Sequence, residues 1–140
     1  MILTYTEKMT ADEYNELRLS VDWKPLTQGQ AERGLAHTAF VVAARDGEKI
    51  VGMGRMLFDY GYTAYLGDVI VRPEYQGQGI GTEIVTRLKD RVMEAAEPGD
   101  KIMFILGAAK GKEAFYEKFG FKQRPNDFNG CGMSMWREKE

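Results

Sequence analysis

A glycine-rich hexapeptide at the start of a predicted helix is the feature that most constrains the fold of this chain. Gln76-Gly77-Gln78-Gly79-Ile80-Gly81 follows an apolar, β-branched run at 65–71 and the strand-breaking Arg72-Pro73-Glu74-Tyr75. After the loop, apolar residues recur at helical spacing, namely Ile80, Ile84, Val85, Leu88, Val92 and Met93. The pattern therefore predicts a buried strand, a tight loop and an amphipathic helix in succession.

Glycines at alternate positions before a helix favour an anion-binding site. A residue without a Cβ lets a ligand approach the backbone closely, and the first-turn amides of a helix have no partner within it. The positive end of the helix dipole adds to the attraction. We therefore expect the backbone of 76–81, with Thr82 in the first helical turn, to bind a phosphate group.

Two common phosphate-binding motifs fit this sequence poorly. The dinucleotide fingerprint needs a third glycine where Thr82 stands. The best P-loop candidate, 107–112, is one residue short and is followed by Glu113 instead of Ser or Thr. A nucleotide-binding module of another fold is therefore disfavoured. An ordinary tight turn also uses such glycines, but the flanking strand and helix favour the phosphate loop.

Composition indicates a globular protein of one domain, residues 1–140. The chain is 44% hydrophobic and 29% charged, and no segment has the apolar length of a membrane span. A formal charge of −2 gives no electrostatic footprint for nucleic acid. Cys131 is the sole cysteine, which suits a reducing, cytoplasmic setting, and the sole histidine, His37, argues against a zinc site, so we expect no metal.

Periodicity and turn signals predict the order β-α-α-β-β-β-α-β-α-β-β, which is an α/β (mixed α+β) fold with a mixed central sheet flanked by helices. Thr10 and Glu13 form a capping box that starts the first helix. Strands are expected at 2–6, 38–44, 49–58, 63–71, 101–106, from 121 and at 131–136. Helices are expected at about 11–20, 27–34, 80–96 and 110–119, with a polar loop at 124–130.

Two blocks of the sequence resemble the GNAT N-acetyltransferase superfamily. Gln76, Gly79 and Gly81 match its pyrophosphate signature Gln/Arg-x-x-Gly-x-Gly/Ala. The block 114–121 resembles its tyrosine helix and the Gly-Phe turn that follows. The predicted order of elements is also that of the GNAT acyl-CoA N-acyltransferase fold. This resemblance covers most of the chain.

The resemblance implies acetyl-CoA as cosubstrate, with its pyrophosphate on the glycine loop. In the superfamily, the strand before the loop carries a bulge and splays from the next strand, and pantetheine lies in the cleft. By resemblance these strands are 65–71 and 101–106, and the backbone of Val69, Ile70 and Val71 pairs with the pantetheine amides.

The implied reaction is acetyl transfer to a primary amine by direct attack in a ternary complex. A backbone amide near Val69 or Ile70 is the expected oxyanion donor. Tyr116 matches the superfamily's acid, because its phenol, with an ordinary pKa of about 10, can protonate a thiolate. The alternative interpretation of Tyr116 is packing beside Phe115 and Phe119.

The base is less constrained by the sequence. Asp68 precedes the expected oxyanion segment, so it is a candidate base, or else a hydrogen-bonded partner that fixes the bulge. Glu74 and a chain of water molecules are further alternatives. A non-catalytic CoA-binding sensor of the same fold is the competing functional hypothesis.

The acceptor is expected to be a small-molecule amine or a peptide or protein amine, and the sequence leaves both open. Candidate lining residues are the aromatic Trp23, Tyr60, Tyr62 and Tyr65, and the acidic Asp22, Asp59 and Asp127. Such aromatic residues more often belong to a core. The sequence also leaves open whether the protein is a homodimer.

Overall fold

Three antiparallel strands form the centre of the sheet in the computed structural model, which describes residues 1–140. The five-stranded mixed sheet has the order β1-β2-β3-β4-β5. Its strands are β1 (Leu3–Thr6), β2 (Phe40–Asp46), β3 (Lys49–Phe58), β4 (Thr63–Val71) and β5 (Met103–Leu106). The helices are α1 (Ala11–Ser20), α2 (Gln28–Ala36), α3 (Ile80–Ala95) and α4 (Glu113–Glu117), with a short 3-10 turn at Pro73–Tyr75.

The N-terminal helices begin where their capping residues predict. Thr10 Oγ1 accepts the Glu13 N–H at 3.1 Å, and Glu13 Oε1 accepts the Thr10 N–H at 2.9 Å. This reciprocal pair is the predicted capping box, and it satisfies two donors that the helix leaves unpaired. Thr27 caps α2 by accepting the N–H of Gln30.

Helices lie on both faces of the sheet. Successive residues of β3 face opposite sides, and those two sides contact different helices. Met53 belongs to a buried cluster with Tyr14 and Leu17 of α1. Its neighbours Gly52 and Gly54 point the other way, toward α3. A Cβ on Gly54 would lie 2.8 Å from Leu88 Cδ1 and would also clash with Ile84, so these glycines let α3 lie close against the strand.

The predicted order of elements is confirmed as far as α4, but the two last strands were wrong. The chain forms two compact units, residues 1–105 and 106–140, and residues 121–140 contain no strand. Apolar alternation at 131–136 suggested a strand, but a strand needs a ladder partner and a covered face, and the glycines at 130 and 132 weaken it. Met133 and Trp136 are 95% and 93% exposed.

The predicted polar loop at 124–130 is present in the second unit. Asn126 Oδ1 accepts the N–H groups of Phe128 at 2.9 Å and Asn129 at 3.0 Å. Such a side-chain turn satisfies backbone donors locally, which competes with a strand ladder. The expectation of a single domain over 1–140 stays a prediction. None of the helices combines the length and apolar character that crossing a membrane requires.

Candidate functional site

The glycine loop has the backbone conformation that its spacing predicts. Gly77 and Gly79 have φ angles of +79° and +83°, a region that residues with a side chain rarely adopt. A Cβ built on either glycine would have no atom within 4 Å, so the space beside the loop is open. Gly79 is the N-cap of α3, and no side chain caps that helix.

The first turn of α3 presents its amides to this open space. The first hydrogen bond within the helix runs from the Glu83 N–H to the Gly79 carbonyl at 3.0 Å. The N–H groups of Ile80, Gly81 and Thr82 therefore have no partner within the helix. Ile80 anchors the turn, because its side chain is 1% exposed and packs in the core. The arrangement fits an anionic group such as a pyrophosphate.

Side chains around the loop tie it to the end of β4. Gln76 Nε2 donates to the Val71 carbonyl at 2.9 Å, so the signature glutamine folds back on the strand. Arg72 Nε donates to the Ile50 carbonyl at 2.6 Å, and Tyr75 OH donates to Asp46 Oδ2 at 2.6 Å. Residues 76–79 are exposed. These contacts fix where the loop starts.

The strand before the loop carries the expected bulge. Asp68 pairs with Arg55 of β3, whereas the next pair toward the start of β4 joins Leu66 to Met56. Gly67 is thus an extra residue without a partner on β3. After the bulge the pairing with β3 is regular, and it joins Val69 to Gly54, Ile70 to Met53 and Val71 to Gly52. At the start of β4, the Met103 N–H donates to the Tyr62 carbonyl at 2.6 Å, which ties β5 to this end of the strand.

Asp68 is held at the bulge by two side chains from other elements. Arg55 Nε donates to Asp68 Oδ2 at 2.8 Å, and Tyr14 OH of α1 donates to the same oxygen. Arg55 Nε also approaches the Tyr14 oxygen at 3.1 Å. The Asp68 side chain is 12% exposed, so solvent screens this ion pair only in part.

The protonation states of the two donors follow from this packing. Burial, and then the charge of Asp68, raise the pKa of Tyr14, so its hydroxyl remains a donor at neutral pH. Burial acts to lower the pKa of Arg55, but its hydrogen bond to Asp68 and the nearby charges raise it overall. Both groups therefore keep the protons with which they hold Asp68.

The same arginine reaches α2. Arg55 Nη1 donates to Thr38 Oγ1 at 3.1 Å, and the Thr38 hydroxyl donates to the Gly34 carbonyl at 2.6 Å. We call Tyr14, Thr38, Arg55 and Asp68 the bulge cluster. Of these four, the sequence singled out only Asp68. The sequence offered one signal for Arg55, because a charged residue inside an apolar strand needs a partner. It offered no signal for Tyr14.

Tyr116 lies in the second unit, on α4. Its half-buried ring packs edge-on against Phe115 at 5.0 Å and Phe121 at 6.1 Å between centroids. The following Gly120 has a φ of +98°, as the predicted Gly-Phe turn requires. The loop and the bulge both belong to the first unit.

Two of the candidate acceptor residues have local structural roles. Trp23 is half-buried against the core near α1, with the Arg18 guanidinium 5.5 Å from its ring. Asp59 shapes the β3–β4 turn, because its Oδ1 accepts the N–H groups of Gly61 and Thr63. Asp22 and Asp127 are exposed.

The exposed Tyr60 and Tyr62 border an open cleft of about 650 Å³, together with residues of the α3–β5 loop. Neither Trp23 nor Tyr65 lines this cleft. The structure thus brings two of the four aromatic candidates together. No three His, Cys, Asp or Glu side chains converge in the structure as metal ligands would, and the absence of a metal requirement stays a prediction.

The chain is similar to acetyltransferases in sequence and in structure. It is 25% identical over 132 residues to the uncharacterized N-acetyltransferase ycf52 of Porphyra purpurea, covering 91% of this chain and 74% of that protein. The thialysine N-epsilon-acetyltransferase of Bos taurus is 38% identical over 52 residues, which are 34% of this chain and 31% of that protein. A crystal structure of a probable acetyltransferase from Staphylococcus aureus superposes with a TM-score of 0.84 at 27% identity, covering 96% of this chain and all 100% of that one.

Residues 5–121 match the Acetyltransferase (GNAT) family, which is most of the chain. The matched range contains β4, the glycine loop and α4. The chain belongs to the GNAT acetyltransferase family.

Proposed function

We propose that the protein transfers the acetyl group of acetyl-CoA to a primary amine by direct attack in a ternary complex. The observation that carries the proposal is the first turn of α3, whose amides open onto a loop of positive-φ glycines directly after a bulged strand. Family membership supports the same chemistry. When bound, acetyl-CoA supplies an activated thioester.

The loop and the strand would hold the two halves of the cosubstrate. The amides of 77–82 would bind the pyrophosphate, because they are unpaired within the helix and lie at its positive end. Gln76 would position the loop through its bond to Val71. The backbone of Val69, Ile70 and Val71 would pair with the pantetheine amides, as a strand edge can.

Three groups would then serve the acetyl transfer. The backbone amide of Val69 or Ile70 would donate to the developing oxyanion. The Tyr116 hydroxyl would protonate the leaving thiolate. Asp68 Oδ2 already accepts two hydrogen bonds and would have to release a donor to take a proton, which favours its role as anchor of the bulge. A chain of water molecules would carry away the proton of the amine.

The acceptor is an amine of unassigned size. The name of the Bos taurus relative, a thialysine N-epsilon-acetyltransferase, supports a side-chain amine as the chemical class. A peptide or protein amine presents the same group. A cytoplasmic location, inferred from the sole cysteine, belongs to this proposal as well.

A thiol-release assay with acetyl-CoA tests the proposal. The enzyme is offered a panel of small primary amines and lysine-containing peptides, and free CoA is measured with a thiol reagent. We expect release that depends on one class of amine and exceeds the amine-free rate. Binding of CoA without release in the presence of any amine would favour the non-catalytic sensor instead.

A further inference from the structure

We infer that Tyr14 and Arg55 are positioning residues for the acetyl-transfer site, acting through Asp68 on the bulge of β4. The inference rests on the proposed function. Neither side chain comes from β4, yet both meet at one oxygen of the residue that follows the bulged Gly67. The amides assigned to the oxyanion and to pantetheine come immediately after that residue.

The bulge needs such an anchor because its own strand supplies little restraint. Gly67 has no partner on β3, and glycine has the widest range of backbone conformations. The Arg55 guanidinium lies over it, with Cζ 3.4 Å from the position of a Cβ. One arginine therefore covers the extra residue and pairs with the next one. The direction of the Val69 N–H follows from where Asp68 is held.

The cluster also joins the bulge to both N-terminal helices. Tyr14 is on α1 and is only 2% exposed, so its hydroxyl is fixed by a packed ring. Thr38 connects Arg55 to the end of α2. Lysine cannot replace this arginine fully, because one ammonium lacks the planar fork that reaches Asp68 and Thr38 together.

The test compares Tyr14→Phe with a change at another contact between α1 and the sheet. Tyr14→Phe removes the hydroxyl and leaves the packed ring in place. The control is Arg45→Lys, which alters another arginine–carboxylate pair between α1 and the sheet, Arg45 with Glu13. We expect Tyr14→Phe to lower kcat/KM for acetyl-CoA about tenfold, the effect of losing one hydrogen bond to a charged group. Arg45→Lys should lower only the melting temperature.

Binding measurements separate the bulge from the loop without relying on turnover. Calorimetry is run with CoA and with 3′-phosphoadenosine 5′-diphosphate, the half of CoA that carries the pyrophosphate but no pantetheine. Tyr14→Phe should weaken the binding of CoA and leave the affinity for the nucleotide half within twofold of the wild-type value. The double variant Tyr14→Phe/Asp68→Asn should bind CoA no more weakly than the single variant with the lower affinity, since both changes act through one carboxylate.

Several results would overturn the inference. One is a Tyr14→Phe enzyme with normal kcat/KM and normal CoA affinity but a lower melting temperature, which would make the cluster structural only. Another is a Tyr14→Phe protein whose affinities for CoA and for the nucleotide half of CoA fall by the same factor. Wild-type protein that binds CoA but releases no thiol with any amine would refute the proposed catalysis, and the binding comparison would still decide the positioning role.

Discussion

The glycine loop at 76–81 and the bulge at Gly67 flank the same half of β4, but different groups hold them. In the loop the backbone itself is specialised, since Gly77 and Gly79 adopt positive φ and contact little around them. At the bulge the conformation depends on side chains of α1 and β3 that converge on Asp68. The first region is built locally, and the second is built by the tertiary structure.

This difference predicts how each region responds to mutation. A change in the loop should damage binding when it falls on a glycine, fills the open space or breaks the Gln76–Val71 hydrogen bond, because these features belong to the loop itself. A change at the bulge should also act from a distance, because Tyr14 is 54 residues from Asp68 in the chain and Arg55 is 13. The predictions below test that contrast, beginning with the largest expected effect.

Gly79→Trp should nearly abolish CoA binding. The indole would occupy the space beside the loop, and any side chain at a φ of +83° is strained by about 1–2 kcal/mol. We expect CoA affinity to fall at least about 100-fold, which corresponds to roughly 2.7 kcal/mol of lost binding. The affinity for the nucleotide half of CoA should fall by the same factor, whereas Tyr14→Phe should leave that affinity nearly unchanged. Calorimetric titration measures both.

Gly99→Trp is the matched control for this variant. Gly99 also has a positive φ, +94°, and open space around it, but it follows the other end of α3. The same strain and the same bulk should therefore leave CoA affinity unchanged. Undiminished affinity in a folded Gly79→Trp protein would remove the loop from the site.

The locally built region is the one that the sequence predicted well. Glycine spacing encodes backbone conformation directly, so the loop and the start of α3 were predicted within a residue. The capping box at Thr10 and Glu13 is local in the same sense, and the bounds of β3 and β4 at 49–58 and 63–71 were also correct. Each of these features is decided by residues within a few positions of one another.

Features that depend on distant partners were missed. No spacing rule joins Tyr14 to Asp68, and only the folded sheet brings Arg55 between them. Gly52 and Gly54 lie within the predicted strand 49–58, but their role in making room for α3 was not foreseen. The strands predicted from 121 and at 131–136 failed for the same reason, because alternation alone does not supply a ladder partner.

Asp68→Asn decides between the two roles weighed for this carboxylate. An amide keeps the shape but loses the charge that pairs with Arg55, so an anchor role predicts a lower melting temperature together with weaker CoA binding. We expect turnover to fall by about 10- to 100-fold with no recovery in alkali. A pH–rate profile is measured beside a thermal melt. Partial recovery of turnover at high pH, with normal stability, would establish Asp68 as the base instead.

Tyr116→Phe should keep CoA affinity and lower turnover. The ring contacts with Phe115 and Phe121 are retained, and only the phenolic proton is lost. Loss of general-acid assistance should reduce kcat about 10-fold or more, measured at saturating substrates. Tyr5→Phe is the control, since Tyr5 is a tyrosine of β1 outside the proposed site. Unchanged kcat in the Tyr116 variant would leave this residue a packing role.

Glu13→Gln should have the smallest effect, and its pH dependence contrasts the Arg45–Glu13 ion pair at the start of α1 with the bulge cluster. The hydrogen bond from Arg45, helped by the one from the Thr10 N–H, outweighs burial, which acts to raise the pKa of Glu13, and leaves that pKa below its ordinary value of 4.5. Because the folded-state pKa is the lower one, this pair stabilises the protein above about pH 4.5, and the stabilisation is lost as the pH falls through the folded-state pKa. Glutamine retains the capping-box oxygen, so at pH 7 the variant should lose less than about 1 kcal/mol of unfolding free energy. The difference from wild type should shrink below pH 4.5, as measured by urea denaturation at several pH values, while kcat/KM at pH 7 stays unchanged. If the difference in unfolding free energy between the variant and wild type stays the same at low pH, Glu13 acts through packing and not through its charge.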